Sequence, residues 1–537
     1  MISLDFFKAY DRVLVDFLLV VMKKMNFGQK FCNWVKMLHA GAKTRFILQS
    51  LTKLVSLSFS IRQGDPLAMI LYIIYIEPLL LYLERKLAGL KSQCVDAYCD
   101  DVNILTNRIS DFHLVDTAIK KFESVSGAIL SRNKKCKVMG LGSWSDKVDW
   151  PLNYLKSEKE IKVFGIFVQD SYRSLIKRNW DFRFEKFLDV IKSWTPRILD
   201  TLLQRVEVLK LFAFSRVYYV ASILPINKTM VKKFEKEVGK FLWNASGRLL
   251  RVSMEELKNS PGKGGLGLPC LRDRSKALML SQLLRMLKSG DRKSLAHVGY
   301  WIGELLGDLL VGIDAGEHAQ DVPVYFGHLA ELVVDAKSGG IVKPSNWRTV
   351  TSKAIYMHYL KSLAVVKVEQ EAGRSYKIVW ERAASPVLTA CARDVLYLLL
   401  HNKLPIRERM FRIGLATDPY CDSCLSAEIC DIEHFFCSCS RVSDVWQEVR
   451  AMVVRVVGVD CGLCSDWELI NLHFPSSMGA QQAVWLIGTF VSMVWDEIFI
   501  RRGPGLKKEQ CFGFLKFKYK MAQELGISLG IWPGLAM

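Results

Sequence analysis

The stretch Tyr98-Cys99-Asp100-Asp101 decides the fold, and it lies between two short apolar runs. Val95-Asp96-Ala97 precedes it, and Val102-Asn103-Ile104-Leu105 follows it. Two such runs that meet at a polar pair predict a β-hairpin with the carboxylates near its turn. Adjacent aspartates repel each other, and a divalent cation such as Mg²⁺ gives a reason to crowd them. Taken alone, the stretch is explained more simply as a solvated turn that holds two acids by chance. The other motifs of the chain must decide between this explanation and a metal site.

The composition indicates a large intracellular protein with a polyanionic partner. The chain has 537 residues, half of them hydrophobic, so it can bury a sizeable core in three or four domains. Lys and Arg number 74 against 54 Asp and Glu, a net charge of +20, which favours a nucleic-acid partner. The 14 cysteines are scattered except for one tight cluster, which indicates reduced thiols and a metal site.

Neither a signal peptide nor a membrane span is predicted. Acidic and basic residues interrupt the first turns of the chain, which excludes the apolar core of a signal peptide. The apolar runs Leu67–Leu83 and Ala483–Ile500 are marginal in length for a span, and each contains acidic residues. Both are expected to be buried core helices.

Asp5 follows an apolar lead-in, Met1–Leu4, that is typical of a strand. A residue at the end of a strand is in a common place for a catalytic acid. Asp11 is predicted to cap a buried helix from Arg12 to about Asn26.

A second polar segment, Arg62-Gln63-Gly64-Asp65-Pro66, follows a predicted strand pair. Gly64 allows the backbone to approach a ligand closely, and Asp65 with Pro66 is typical of a helix start. That helix is expected to reach about Ala88. Further along, the pattern predicts a helix over Asp111–Ser126 that ends at Gly127, and a strand over Val163–Phe167.

The cysteine cluster has the spacing Cys421-x2-Cys424-x9-His434-x4-Cys439. Three thiolates and one imidazole suit tetrahedral Zn²⁺, and the first pair has the spacing of a zinc knuckle. Cys430 and Cys437 compete for the later ligand positions, and Cys437 is the more serious rival. Reduced cysteines in a small core are the alternative to a metal site.

The C-terminal segment Phe512–Lys520 alternates cations with aromatic residues. Such a pattern can stack on bases and neutralise phosphates, although an ordinary amphipathic segment explains it equally well.

Taken in order, these motifs resemble the reverse transcriptases of non-long-terminal-repeat retrotransposons, the long interspersed element type. The resemblance covers most of residues 1–445 and depends on the order and spacing of the motifs rather than on any one of them. Five segments of the chain are similar, in order, to the five palm motifs of that family. They are Asp5-x-x-Lys8-Ala9-Tyr10-Asp11, Arg62-Gln63-Gly64-Asp65-Pro66-Leu67, Tyr98-Cys99-Asp100-Asp101, Ser126-Gly127 with Lys134, and Phe164-Gly165-Ile166. Two later segments, Gly264-Gly265-Leu266-Gly267 and Leu404-Pro405-Ile406-Arg407-Glu408-Arg409, resemble the thumb and the start of the zinc-binding segment of those proteins.

The resemblance implies an RNA-directed DNA polymerase that acts on an RNA template, a DNA primer and deoxynucleotides. Asp5 and Asp100 would hold two Mg²⁺ (or Mn²⁺) ions, with Asp101 as a lesser ligand. Lys134 is a candidate proton donor to pyrophosphate, although a lysine there is ordinarily a surface charge.

Four further residues are implied to contact the incoming nucleotide. Tyr10 matches the aromatic residue that excludes a 2′-hydroxyl, with a core tyrosine as the alternative. Gln63, Gly64 and Tyr98 complete this set. At Ser131 the family usually has Asn, and Asp65 and Ala68-Met69 also depart from its pattern.

The fold class is therefore expected to be α+β, with an antiparallel palm sheet covered by helices. The expected divisions are a palm (1–168), a helical thumb (169–290), a helical connector (291–400), a zinc-binding segment (401–445) and a basic-aromatic region (446–537). The chain is expected in the nucleus and cytoplasm.

The chain begins four residues before Asp5. In the family, basic residues of the fingers hold the triphosphate, and they would lie upstream. The sequence therefore predicts a truncated chain that binds primer–template but extends it barely or not at all. A catalytically inactive nucleic-acid-binding remnant is the alternative function. A maturase or a telomerase-like relative is a second rival, which the Cys/His segment argues against.

Overall fold

A computed structural model describes residues 1–39, 43–45, 51–56, 60–62, 64–87, 94–132, 135–194, 201–243, 252–310, 322–360, 375–424, 428–458 and 464–524. The chain divides into two compact units, residues 1–179 and residues 180–537. The first unit mixes strands and helices, and the described part of the second is mainly helical.

The first unit contains a five-stranded sheet in the order β4-β5-β1-β6-β7. All neighbouring pairs in it are antiparallel except β6 and β7. Two hairpins, β2–β3 and β8–β9, stand apart from this sheet. The strands are β1 (Ile2–Asp5), β2 (Lys43–Thr44), β3 (Val55–Ser56), β4 (Cys94–Tyr98), β5 (Asp101–Leu105), β6 (Lys137–Val138), β7 (Lys156–Ser157), β8 (Glu160–Val163) and β9 (Ile166–Gln169).

Helices cover one face of the five-stranded sheet. Ile2 and Leu4 of β1 and Val102 and Ile104 of β5 are buried together in the core with these helices. Because side chains alternate along a strand, Asp5 and Asp101 lie on the opposite face. The helices in this core are α1 (Val15–Lys24), α2 (Gln29–His39), α3 (Ala68–Leu87) and α4 (Asp111–Ser126). A further helix, α5 (Tyr172–Ser193), follows β9 and contains the boundary between the units.

Several predicted elements of this unit are confirmed. Tyr98 pairs with Asp101, so the predicted hairpin forms with Cys99 and Asp100 as its two-residue turn. Helix α4 has the predicted bounds and ends at Gly127, whose φ is 83°. A Cβ at Gly127 would also lie 2.9 Å from the carbonyl oxygen of Arg12, so both the conformation and the space call for glycine.

The start of the first helix was predicted wrongly. Asp11 lies in a 3₁₀ helix, Ala9–Arg12, and α1 begins only at Val15. The extended backbone of Val13 interrupts the helical path, and its carbonyl accepts a hydrogen bond from the Ser60 N–H at 3.2 Å. Long-range backbone bonding therefore decides this boundary rather than the local capping signal.

The predicted strand over Val163–Phe167 is also wrong, because the chain reverses in its middle. Phe164 and Gly165 have φ values of 46° and 84° and form the turn between β8 and β9. Two consecutive left-handed residues suit the right-handed twist of a tight hairpin.

The described residues of the second unit form helices and no strand, apart from one isolated bridge between Tyr420 and Ile429. Short π-helical turns span Leu209–Ala213, His434–Ser438 and Trp495–Ile500. The α-helices are α6 (Leu202–Val208), α7 (Ser215–Ala221), α8 (Lys228–Trp243), α9 (Met254–Lys258), α10 (Leu271–Ser289), α11 (Arg292–Leu306), α12 (Val324–Ser338), α13 (Ser352–Leu360), α14 (Lys377–Ala383), α15 (Ala390–Leu400), α16 (Arg407–Arg412), α17 (Ser443–Val457), α18 (Asp466–Ile470), α19 (Ala480–Val494) and α20 (Lys508–Glu524).

The glycine-rich turn at 261–267 packs inside the second unit. A Cβ at Gly265 would lie 2.0 Å from the carbonyl oxygen of Asn259, so no larger residue fits there. The carbonyl of Gly264 lies 2.8 Å from Nε2 of the buried His401, at the end of α15. The turn thereby connects the α9–α10 region to the helices that precede the cysteine cluster.

One described helical stretch, Ala480–Ile500, is long and apolar enough to cross a bilayer. More than half of its most apolar window is buried inside the protein, against α15 and α17 among others. This matches the expectation of a core helix.

Candidate metal centres

The ends of β1 and β5 bring two of the sequence-predicted aspartates together. Asp5 and Asp101 are directly opposite in the antiparallel register. Cβ atoms of such partners lie about 4.5–5.5 Å apart on the same face of a sheet. Asp100 lies in the adjoining turn, next to Asp101, and its charge acts on the Asp101 carboxyl. All three are half-buried, so the group remains open to solvent and to a ligand.

The electrostatics of this group are those of crowded acids. The pKa of Asp101 lies above its ordinary value, first because of burial and then because of the charges of Asp100 and Asp5. A hydrogen bond from the Phe164 backbone opposes this shift of the pKa. A bound cation would remove the repulsion, and carboxylate oxygens are the ligands that hard divalent cations prefer.

Asp5 has two partners that the sequence did not identify. Its Oδ2 accepts a hydrogen bond from Ser131 Oγ at 2.9 Å, and its Oδ1 lies 3.4 Å from Lys135 Nζ. The backbone N–H of Ser131 also donates to the Asp5 carbonyl at 2.8 Å. The lysine-rich run after Gly127 was the only sequence signal for a basic partner of Asp5, and the prediction made from it was Lys134 rather than Lys135. Lys134 and Gln63 lie outside the described residues.

The turn of the β4–β5 hairpin holds Cys99 in a strained backbone conformation. Cys99 has a φ of 55°, which non-glycine residues adopt only when the surroundings require it. Cys99 is buried, whereas Tyr98 is 63% exposed and meets the ring of Phe164 edge-to-face at 6.3 Å. The β8–β9 hairpin therefore contacts the aspartate turn through both its backbone and its aromatic ring.

Tyr10 lies beside the aspartate turn rather than in the middle of the core. Its ring packs on the buried Tyr72 with centroids 4.8 Å apart, and its pKa is raised by burial and by a hydrogen bond to Cys99. Gly64 has a φ of 88°, and nothing lies within 4 Å of where its Cβ would be. The conformation, not the lack of space, is what requires glycine there.

The second group of ligand atoms comes from Cys421, Cys424, His434 and Cys439, which lie within 4.8 Å of one another. The Sγ atom of Cys439 lies 3.9 Å from that of Cys421 and 3.8 Å from that of Cys424. His434 Nε2 lies 3.4 Å from Cys424 Sγ. A tetrahedral zinc ion with Zn–S bonds of about 2.3 Å requires sulfur atoms about 3.8 Å apart, so the donor set fits zinc.

A short hairpin and a π-helical turn position these ligands. Tyr420 and Ile429 form the bridge that brings Cys421 and Cys424 back against the chain that follows them. His434 begins the π-turn and Cys439 directly follows it. Cys437, the rival for the fourth position, is buried within that turn and does not belong to the group.

The basic-aromatic segment near the C-terminus lies in α20, and two of its aromatic residues differ in exposure. Tyr519 is buried and packs edge-on against Trp485 at 6.0 Å. Phe517 is 57% exposed among the lysines. The segment is therefore an amphipathic helix, and only part of the expected stacking surface is available.

Two segments of the chain match known protein families. Residues 1–168 match the family described as reverse transcriptase (RNA-dependent DNA polymerase), and residues 352–446 match the family described as zinc-binding in reverse transcriptase. The first segment contains the three aspartates and the second contains the Cys/His group. The chain thus has one segment similar to reverse transcriptases and a second similar to the zinc-binding segment found in them.

The chain is also similar to a transposon protein. It is 27% identical over 301 residues to the Transposon TX1 uncharacterized 149 kDa protein of Xenopus laevis. The similar region covers 53% of this chain and 22% of that relative, so the chain spans well under half of the relative's length. Together with the family matches, this confirms the resemblance to reverse transcriptases of non-long-terminal-repeat retrotransposons.

Proposed function

We propose that the chain is a polymerase fragment of a retrotransposon that copies RNA into DNA by adding deoxynucleotides to a primer 3′-hydroxyl. The observation that supports this most strongly is the register that pairs Asp5 with Asp101 beside Asp100. Three carboxylates at the open end of a sheet suit a pair of divalent cations. Sequence order alone would not bring them together.

Asp5, Asp100 and Asp101 would hold the cations, with Mg²⁺ or Mn²⁺ as the candidates. When bound, the cations activate the primer hydroxyl and stabilise negative charge on the leaving pyrophosphate. Ser131 fixes one oxygen of Asp5, and Lys135 partly balances its charge. A hydrogen bond from the Phe164 backbone helps to hold the Asp101 carboxyl in place.

Tyr10, Gly64 and Tyr98 are proposed to face the incoming nucleotide, together with Gln63. The packing of Tyr10 on Tyr72 gives its ring a fixed position, which a filter against the 2′-hydroxyl of ribonucleotides needs. The ring of Tyr98 is exposed and so is available to the incoming nucleotide. Lys134, which precedes Lys135 in the sequence, stays a candidate proton donor.

The proposed layout places the palm at 1–168, a thumb at 169–290, a connector at 291–400, a zinc-binding segment at 401–445 and a basic-aromatic region after it. A zinc ion held by Cys421, Cys424, His434 and Cys439 would stabilise the fourth of these. With three sulfurs and one nitrogen in a largely buried cluster, the site has the features of a structural zinc centre rather than a catalytic one. The proposed partners are an RNA template and a DNA primer.

Primer extension on an RNA template tests the proposed function. The wild-type chain is compared with Asp100→Asn, which keeps the shape of the side chain and removes its charge. Asp96→Asn is the matched control, because Asp96 is an exposed acid on the neighbouring strand β4. Both the chain as it stands and the chain preceded by the fingers segment of a related enzyme are assayed.

We expect extension to be lost in Asp100→Asn and retained in Asp96→Asn. Extension that survives Asp100→Asn would contradict the proposed catalytic centre. Binding of primer–template with no extension in any form of the chain would favour the nucleic-acid-binding remnant instead.

A further inference from the structure

His434 presents its two ring nitrogens to two different environments. Nε2 lies 3.4 Å from Cys424 Sγ, inside the group of four ligand atoms. Nδ1 lies 2.9 Å from a carboxylate oxygen of Glu428. The side chain of His434 is 5% exposed, so neither nitrogen has ready access to water.

We propose that Glu428 is a positioning residue for the zinc site, which orients His434 and fixes its tautomer. The inference rests on the zinc role proposed above for the four ligands. A zinc-bound imidazole uses one nitrogen as ligand and needs an acceptor for the N–H of the other. With Nε2 toward the sulfurs, Nδ1 carries the proton and donates it in a hydrogen bond to Glu428. The carboxylate also raises the electron density of the ring, which strengthens the bond from Nε2 to the metal.

Backbone hydrogen bonding, rather than the Glu428 side chain, places Glu428 next to His434. The carbonyl of Glu428 accepts a hydrogen bond from the Cys421 N–H at 2.9 Å, next to the bridge between Tyr420 and Ile429. The same hairpin that carries the first ligand therefore carries the acceptor for the third. Because this backbone bond is independent of the carboxylate, a side-chain substitution at Glu428 leaves the hairpin pairing intact.

Ser438 is a second polar group near Nδ1 among the described residues, and its longer distance makes it the weaker partner. Its Oγ lies 3.4 Å from Nδ1, against 2.9 Å for Glu428. Hydrogen bonds weaken steeply over this range, and a charged acceptor is stronger than a neutral hydroxyl. Ser438 thus offers a matched control on the same nitrogen.

The test measures zinc affinity of the full chain by competition with a chromophoric chelator. Glu428→Ala should weaken zinc binding by about 10–100-fold, the usual cost of losing such an outer partner. Glu428→Gln keeps a neutral acceptor and should recover part of this loss. Ser438→Ala should bind zinc as the wild type does. Equal affinity in Glu428→Ala and the wild type would overturn the proposal.

Replacing zinc with Co²⁺ gives a second measurement, which would not change if Glu428 only stabilised the local fold. The visible absorption bands of Co²⁺ report the strength and geometry of its ligands, so they should shift in Glu428→Ala and not in Ser438→Ala. Cys424→Ser separates the two proposals. If Cys424→Ser also leaves zinc binding unchanged, the ligand set itself is wrong. If only Glu428→Ala is without effect, the ligand set stands and Glu428 has no positioning role.

Discussion

The aspartates of the first unit and the Cys/His group of the second unit gather ligand atoms in opposite ways. Asp5 and Asp101 are 96 positions apart and lie opposite each other only because β1 pairs with β5. The ligands Cys421 to Cys439 span 19 residues, and a hairpin with one π-turn is sufficient to collect them. The first group depends on the whole sheet, whereas the second is nearly a local structure.

The two groups also differ in access. The Asp5 side chain is 33% exposed, while that of His434 is 5% exposed. A site that must admit substrate phosphates keeps open positions, whereas a structural zinc site is closed by its four protein ligands. The comparison implies that metal loss should affect catalysis at the first group and folding at the second.

The largest expected effect is the loss of zinc from the second unit. Zinc-specific chelation, or Cys424→Ser, should unfold the region around 421–439, because zinc binding contributes on the order of 10 kcal/mol to such small sites. Hydrogen exchange resolved by peptide should show faster exchange there and no change in the sheet of the first unit. Unchanged protection after zinc removal would show that a reduced cysteine core, rather than a metal, stabilises this region.

The next effect concerns catalysis without unfolding. In the chain preceded by the fingers segment of a related enzyme, Asp5→Asn should lower primer extension by about 10²–10³-fold, because one charged ligand of the reacting centre is lost. Hydrogen exchange of the first unit should remain as in the wild type, in contrast to the zinc variant. If Asp5→Asn instead unfolds the sheet, the difference between a catalytic and a structural group disappears.

A third prediction uses Asp394, a partly buried acid of the second unit. Burial raises its pKa from 3.8 to about 6, although the N–H of Leu202 donates to it. The folded state therefore binds a proton that the unfolded state releases between about pH 4 and pH 6. Stability from this group falls as the pH rises through that window, by up to about 3 kcal/mol.

Asp394→Asn keeps an acceptor for Leu202 and removes the charge. We expect the variant to be more stable than the wild type at pH 7 and to have a smaller pH dependence between pH 4 and pH 7. Denaturant unfolding at several pH values measures the difference. A wild type that gains stability relative to the variant as the pH rises would show that Arg205 and Arg393 outweigh the burial of the charge.

The smallest expected effect is a change in stability whose sign differs between the two units. Without Mg²⁺, Asp101→Asn should stabilise the first unit by about 1 kcal/mol or less, since like charges on opposite strands destabilise a sheet. Removing a zinc ligand should do the reverse in the second unit. Urea unfolding of the zinc-loaded chain, with magnesium omitted, checks this. Destabilisation by Asp101→Asn would mean that the aspartates stabilise the fold on their own.

Local signals predicted the elements that local interactions determine. The hairpin around Asp100 and the helix Asp111–Ser126 follow from turn and capping residues, and the structure has both. The four zinc ligands also lie close in sequence, so their spacing was informative. The start of α1 and the turn at Phe164–Gly165 depend on pairing with distant segments, and both were predicted wrongly.

The residues that support the sites were not predictable in the same way. Ser131 and Lys135 reach Asp5 only after the chain after α4 returns to the sheet. Glu428 looks like any exposed acid until the hairpin places it beside His434. Spacing in a sequence identifies ligands on one element, whereas partners from separate elements require the fold.

Titration of Mn²⁺ into the chain prepared with zinc, measured by the loss of the electron paramagnetic resonance signal of free Mn²⁺, tests the aspartate metal centre most directly. We expect the wild type and Cys424→Ser to bind Mn²⁺ alike, because oxygen ligands rather than thiolates suit this ion. Asp5→Asn and Asp100→Asn should each weaken binding at least about 10-fold, since a site of few charged ligands loses one of them. Equal Mn²⁺ binding by the wild type and both aspartate variants would contradict a metal centre at the ends of β1 and β5.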